Sequence, residues 1–333
     1  MPRRTLSVAR DLLRLAEPFR IAGHVFDDWE VVQVTIVDGT RRGQGEGGGV
    51  FFLGEHGEEM EAAIEAVRRE VEAGVGREEL RSILPPGGAR NAVDAALWDL
   101  EAATTGSPVW KLAGIAAPRP IVTTFTLGAD APARMASAAR ARSDIRAITV
   151  KLTGELAVDI DRVRAIRAAR PDVWLGVDGN QGFDRSQLDE LIPALTAQRV
   201  SLLEQPLPRT ADASLEELSS PIPIAGDESI LSLDDLASAP GRFQVINIKL
   251  DKCGGLTEGL LMEAEARRLG LGVMVGTMIC SSLGAAPGFL LGQLGDFVDL
   301  DGPSLLAEDR SPSVVYRDGT VFADEEVWGG PRS

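Results

Sequence analysis

The sequence predicts an α/β protein, a (β/α) TIM-type barrel accompanied by a smaller α+β domain built from the N-terminal region and the C-terminal tail. Three observations carry this. Five short apolar segments end in an acid or a lysine: ITVKL with Lys151, WLGVDGN with Asp178, LLEQP with Glu204, IAGDES with Asp227 and Glu228, and VINIKL with Lys249. From Lys151 to Lys249 these charged ends lie 27, 26, 23 and 22 residues apart, roughly one strand–helix unit each. Charged groups at the C-terminal ends of such strands are where a barrel carries its chemistry. Finally, the chain has 333 residues and one barrel takes about 250, which leaves room for a second domain.

In chain order, SVARDLLRL and VVQVTIVDG read as strands flanking EPFRIAGHVFDDWE, a loop with no clear period. The glycine-rich stretch GQGEGGGVFFLGEH, residues 43–56, reads as a flexible flap. GEEMEAAIEAVRREVEAG and NAVDAALWDLEAATTG carry helical spacing, and Gly106 supplies a stop signal. From Ile121 a βαβα rhythm begins, with strands at IVTTFTLG, AITVKL, WLGVDGN, SLLEQP, PIAGDES, QVINIKL, GVMVGTM and FVDLDG. Helical stretches such as VDIDRVRAIRAAR, SQLDELIPALTAQ, LTEGLLMEAEARRLG and SLGAAPGFLLGQLG lie between most of them. The tail VVYRDGTVFADEEVWGG reads as a hairpin around Asp318-Gly319 that returns to the N-terminal domain. Boundaries follow at 1–118, 119–309 and 310–333.

Composition removes several classes. A net charge of -16 with scattered Lys and Arg offers no basic footprint for a nucleic acid. No apolar run approaches the roughly 20 residues of a membrane span, and the charged N-terminus lacks a signal core. Cys253 and Cys280 alone make no disulfide framework. A cytoplasmic protein is the expectation.

Asp178, Glu204 and Asp227 end three successive strands, so their carboxylates can converge. Three such oxygens, with water and substrate completing an octahedron, suit Mg²⁺; with His24 and His56 as the only histidines, a zinc site has no ligand cluster. Each acid taken singly reads equally well as a cap or a surface charge. Lys151 and Lys249 lie on the strands before and after the acids, on opposite sides of the metal. Burial near cations lowers a lysine pKa toward neutrality, and two opposed amines can remove a proton from one face of a carbon acid and return it to the other. The plainer alternative pairs each lysine with a metal-ligand carboxylate. Asp299 and Asp301 in FVDLDGP share one face across from Leu300 and suit a cationic group such as a substrate ammonium; a second metal or a turn before Gly302-Pro303 are the alternatives.

Two motifs carry no chemistry. Residues 43–48 match a dinucleotide fingerprint by letters, without the βαβ setting that would confirm it. Cys253 in DKCGGLTEGL has no nearby histidine and reads as structural.

Together, NAVDAALWDLEAATTGSPVWKLAG, VDGNQGF, LLEQPLP, IAGDES, INIKLDKCGGLTEG and FVDLDGP resemble the enolase superfamily, in its muconate-lactonizing branch, and most closely dipeptide epimerases of the L-Ala-D/L-Glu type. The resemblance covers nearly the whole chain. It implies one Mg²⁺ per subunit on Asp178, Glu204 and Asp227. Lys151 and Lys249 become the opposed acid/base pair, with Lys249 rather than Lys252 in the catalytic position. It further implies a capping domain with loops at about residues 18–28 and 43–56. Asp299 and Asp301 would hold a dipeptide ammonium, Arg20, His24, Thr124 and Met278 would meet the substrate, and Asn180 and Glu228 would stand behind the metal ligands. The implied partner is a small-molecule dipeptide, and the implied assembly a homo-oligomer.

Two departures stand out. Thr149 occupies the place of a basic residue two before the first lysine, and Gly23-His24 stands where relatives acting on Ala-Glu carry an arginine. Phe26, Asp27 or Asp28 could then admit apolar or basic side chains. N-succinyl amino acid racemases, o-succinylbenzoate synthases and cycloisomerases would use the same metal and lysines, but their substrates lack the free ammonium that Asp299 and Asp301 suit. From other classes, a Schiff-base aldolase would leave the three acids without a role, and a silent binding protein would leave the whole set without one.

Overall fold

The structure, a computed structural model, describes residues 4–331. Its N-terminal sheet is an antiparallel meander of β1 (Thr5–Ile21), β2 (His24–Asp38) and β3 (Arg41–Gly48). EPFRIAGHVFDDWE is therefore not a loop. It forms the end of a long hairpin in which Phe19 pairs with Phe26 and Ile21 with His24. The register shifts between Arg14 and Phe19, and a bulge of this kind erases the alternation from which a strand is read.

GQGEGG corrects the expectation of a flexible flap. It is strand β3, paired along its length with β2, and it lies on the helix α4 (Gly88–Thr105), which follows α1 (Gly57–Ala66), α2 (Arg68–Ala73) and α3 (Arg77–Ile83). A Cβ at Gly43 would stand 2.1 Å from the Ala96 carbonyl, one at Gly45 2.2 Å from that of Ala92, and one at Gly47 2.1 Å from that of Gly88. These glycines let a strand touch a helix backbone. Only the turn after β3, with a short 3₁₀ segment at Phe51–Leu53, forms a loop. Helix α4 ends at Gly106 in a left-handed cap, φ 67°, as the sequence indicated.

The other face of α4 docks on the barrel. Arg90 donates to the carbonyls of Cys253 (2.5 Å) and Gly254 (3.2 Å), and Thr257 donates to Asp94 (2.5 Å) while accepting from the Trp98 indole (3.0 Å). With a sheet on one side and a barrel on the other, nearly all of this helix is buried.

After α5 (Val109–Leu112), the segment IVTTFTLG divides. Its first part, β4 (Ile121–Val122), leaves the barrel, and β5 (Thr124–Leu127) opens it. The parallel strands β6 (Ala147–Lys151), β7 (Trp174–Asp178), β8 (Leu202–Glu204), β9 (Ile224–Gly226), β10 (Val245–Lys249), β11 (Gly272–Gly276) and β12 (Phe297–Asp299) follow in spatial order. Helices α6 (Pro132–Ala141), α7 (Leu156–Ala169), α8 (Leu188–Ala197), α9 (Leu250–Cys253), α10 (Leu256–Arg268) and α11 (Ser282–Gly292) join most of them. On either side of β9 the connections carry only 3₁₀ segments, Arg209–Leu215 and Leu233–Ser238. Side chains link β12 back to β5. The Thr123 hydroxyl accepts from Leu300 N–H (2.9 Å), and Thr124 donates to Asp299 (2.5 Å).

The tail forms β13 (Val315–Arg317) and β14 (Thr320–Phe322) around Asp318 and Gly319, both with positive φ, and β14 pairs with β4. Beyond it, the Trp328 indole donates to the carbonyls of Gln44 (3.0 Å) and Ala95 (3.2 Å). No helix among the described residues is long and apolar enough to cross a membrane.

Because the β3–α4 contact has no room for a methyl group, Gly45→Ala should lose at least about 3 kcal/mol of unfolding free energy. Urea denaturation followed by circular dichroism measures this.

Candidate active site

Strand register assembles the site. Lys151 stands beside Asp178 and Asp178 beside Glu204 in the β6–β7–β8 ladders. On the other side Lys249 stands beside Gly276 and Gly276 beside Asp299. Asp227 directly follows β9. Laterally paired residues share one level of a barrel, so these side chains meet at its C-terminal mouth.

The carboxylates of Asp178, Glu204 and Asp227 are buried, and one oxygen of each lies within 4.8 Å of the others. Lysines offset their charge. Lys151 Nζ is 2.5 Å from Asp178, Lys249 Nζ 2.6 Å from Asp227, and Lys252 Nζ 2.5 Å from the other Asp227 oxygen. Asn180 donates to Asp178 through its backbone (2.8 Å) and its amide (3.0 Å), while Asn247 donates to Glu204 (2.6 Å). Glu204 contacts no lysine in this set. Burial and the neighbouring Asp178 and Asp227 push its pKa well up, whereas Asp227, despite burial, is held low by Lys249 and Lys252. Glu228, buried beside Asp227 and Asp178, is pushed up to about 8. An all-oxygen set with one carboxyl driven toward protonation by its neighbours suits a hard divalent cation, which would relieve that repulsion.

The lysines differ from the sequence expectation. Burial alone favours the neutral amine, but Asp178 and Glu204 outweigh it at Lys151, and Asp227 and Glu204 at Lys249, so both are raised. The expected lowering requires the positive charge of an ion among those acids.

Asp299 and Asp301 do share a face. Asp301 accepts from Thr126 N–H (2.5 Å), and burial together with Asp299 pushes it up to about 7. Both aspartates line a cavity with Lys151, Lys249, Asn180 and Glu228, under a roof that includes Phe19, Phe26, Trp29, Phe51 and Phe52. Phe26 packs edge-on against Trp29 (5.0 Å) and Phe51 (5.3 Å).

Of the other residues singled out in the sequence, Met278 lines this cavity and Thr124 does not. Thr124 lies behind Asp299, and Thr126 is the threonine that faces the cavity. His24 is exposed and stacks on Phe26 (5.9 Å) from outside. Arg20 faces an adjoining groove, and Asp27 and Asp28 are exposed away from the cavity.

Residues 132–325 match the family described as enolase C-terminal domain-like, and residues 3–114 match the mandelate racemase/muconate lactonizing enzyme N-terminal domain. The chain belongs to the enolase superfamily. Among its superfamily relatives, the L-Ala-D/L-Glu epimerase of Escherichia coli K12 is 38% identical over 96% of this chain and 99% of its own length. The N-acetyl-D-glutamate racemase of a Pseudoalteromonas species is 40% identical over 76% of this chain and 79% of its own. A crystal structure of an Agrobacterium tumefaciens enolase family member with homology to dipeptide epimerases has sodium and L-Ala-L-Glu bound. It superposes with a TM-score of 0.94 at 40% identity, covering 98% of this chain and 100% of that one. Its relatives are named epimerases and racemases, and this superfamily member is an isomerase.

Sequence reasoning missed the roof, Thr126 and Asn247. Aromatic residues make up 5% of the chain, so five within residues 19–52 were a readable cluster. Thr126 was equally available, since alternation puts it on the face of Thr124.

A divalent cation at the triad should stabilise the fold. At a hundredfold excess over Kd, Mg²⁺ should raise the midpoint of thermal unfolding by roughly 5 °C, and Asp178→Asn should abolish the rise. Scanning calorimetry with and without the ion checks this independently of activity.

Proposed function

We propose that this chain is a Mg²⁺-dependent dipeptide epimerase that inverts the α-carbon of the C-terminal residue. The observation that carries the reading is the arrangement of Lys151 and Lys249 on either side of the acidic triad, with Asp299 and Asp301 on the same cavity. Asp178, Glu204 and Asp227 would hold the ion, whose charge stabilises the negative charge that develops on the substrate carboxylate when the α-proton leaves. One lysine takes that proton from its face as an amine, and the other, as an ammonium, delivers a proton to the opposite face. The α-carbon is then returned inverted. Asn180 orients Asp178, and Lys252, itself buried and bonded to the Asn247 carbonyl (3.0 Å), fixes Asp227 without facing the cavity. Asp299 and Asp301 take the substrate ammonium.

The roof supports a finer assignment. Apart from Lys151 and Lys249, no cation lines the cavity among the described residues, and its upper wall is apolar. A glutamate side chain held under this roof would lose hydration with no cation in compensation. The epimerised residue is therefore apolar or aromatic by preference. Enclosed space amounts to about 70 Å³, far below the roughly 300 Å³ at which ligand pockets begin, so the roof parts to admit substrate. Two buried free thiols, Cys253 and Cys280, fit a cytoplasmic setting.

One observation favours a second reading in the same site. Asp301 is pushed up to about 7; protonated, it can donate to an acyl carbonyl, as an N-acyl amino acid racemase would require.

The two readings separate by pH. Above about 7 Asp301 is charged and holds an ammonium, so KM for a dipeptide should rise as pH falls through that value. Asp301→Asn should remove this limb and raise KM at least tenfold. An N-acyl substrate should show the opposite trend. A dipeptide library monitored by α-deuterium incorporation in D₂O tests the substrate class. Turnover of L-Ala-L-Leu or L-Ala-L-Phe at or above that of L-Ala-L-Glu is expected; activity confined to dipeptides whose second residue is glutamate would sink the apolar preference.

A further inference from the structure

We propose that the groove beyond Thr126 is a second substrate subsite, binding a carboxylate on the side chain of the dipeptide's first residue. The inference rests on the dipeptide reading above. The groove, of about 600 Å³, shares Phe19, Thr126 and Leu305 with the catalytic cavity. It therefore lies directly behind the wall against which the substrate ammonium sits. In that reading the substrate's carboxylate end faces the triad and its amine end faces Asp299 and Asp301. Whatever the first residue carries is consequently directed toward this groove.

The charge of the groove sets the chemistry. In a chain of net charge -16, it is lined by Arg20, Arg134 and Arg142, against Glu17 and Asp130. Arg134 is paired with Asp130 at 3.5 Å. Arg142 is half-buried, its guanidinium 4.1 Å above the ring of Phe125, and it forms no ion pair within the described residues. It is close enough to lower the pKa of Asp301, which ties the groove to the amine-binding wall. A guanidinium held on an aromatic face without a carboxylate is pre-positioned for an incoming anion. Arg20, projecting from the β1–β2 hairpin, is the second cation on the same groove without an ion pair among the described residues. This gives Arg20 a place in recognition that the catalytic cavity does not.

The test compares isosteric first residues. With the second residue fixed at the best one from the library, kcat/KM is measured for L-Glu-L-Xaa and L-Gln-L-Xaa at low ionic strength. The expected ratio is about ten in favour of glutamate, shrinking as salt screens it. In Arg142→Gln it should fall to within about twofold of unity, and in Arg20→Gln it should fall part of the way. A ratio near unity in the unaltered protein, or an undiminished ratio in Arg142→Gln, overturns the subsite. If L-Ala-L-Xaa is not epimerised at all, it is the dipeptide reading that fails. Calorimetric Kd values for the same two dipeptides then decide the subsite, a glutamate preference lost in Arg142→Gln supporting it and equal values overturning it.

Discussion

Three carboxylates buried within 4.8 Å of one another at the mouth of a barrel dictate what the surrounding strands must supply. Uncompensated charges in such a place cost several kcal/mol each, and the fold answers with cations and amides from nearby strands and from the helical turn after β10. Lys151 comes from the strand before Asp178, Asn247 reaches across to Glu204, and Lys249 and Lys252 both bind Asp227. Lys252 is fully engaged, whereas Lys151 and Lys249 retain contact with the cavity. The same electrostatics that steady the folded chain thus leave two ammonium groups, those of Lys151 and Lys249, on the lining of the cavity.

The cap is tied to this cluster through a single turn of chain. Residues 249–253, KLDKC, carry Lys249 at the cavity and Lys252 on Asp227, with Asp251 directed to the N-terminal domain. Asp251 accepts from Gly48 N–H (2.9 Å) and from the Asn91 amide (2.8 Å). Gly48 ends β3 immediately before the loop that carries Phe51 and Phe52, so the roof is registered against the strand end that bears Lys249. A second tie runs from Glu46 to Ser281, whose hydroxyl and N–H donate to it at 2.5 and 2.7 Å. Burial pushes Glu46 up to about 7, with Ser281 acting in the opposite direction.

The barrel and its charged rim were legible because each strand repeats a local signal, an apolar run ending in Lys, Asp or Glu. The seven segments from AITVKL to FVDLDG stand where the rhythm put them, and the second half of IVTTFTLG opens the barrel. What was not legible depends on distant chain. A bulge hid the far end of the β1–β2 hairpin, residues 19–26, since alternation is the signal that a bulge destroys. Glycines 43, 45 and 47 read as flexible because sequence shows only the missing side chain, while the Ala92 and Ala96 carbonyls that require the absence lie on α4. Thr124 and Thr126 share a face, and only their depth in the barrel separates a support for Asp299 from a wall of the cavity. The lysine protonation states depend on whether a cation sits among the acids, a fact outside the chain altogether.

In the proposed reaction Lys151 and Lys249 serve opposite faces of one carbon. This is tested most directly by following α-deuterium exchange in D₂O for both stereoisomers of one dipeptide with Lys151→Ala and Lys249→Ala. Each variant should lose epimerisation by about a thousandfold while still exchanging one stereoisomer, and the two variants should retain opposite ones. Exchange of the same stereoisomer by both variants, or epimerisation surviving in either, would rule out a lysine on each face.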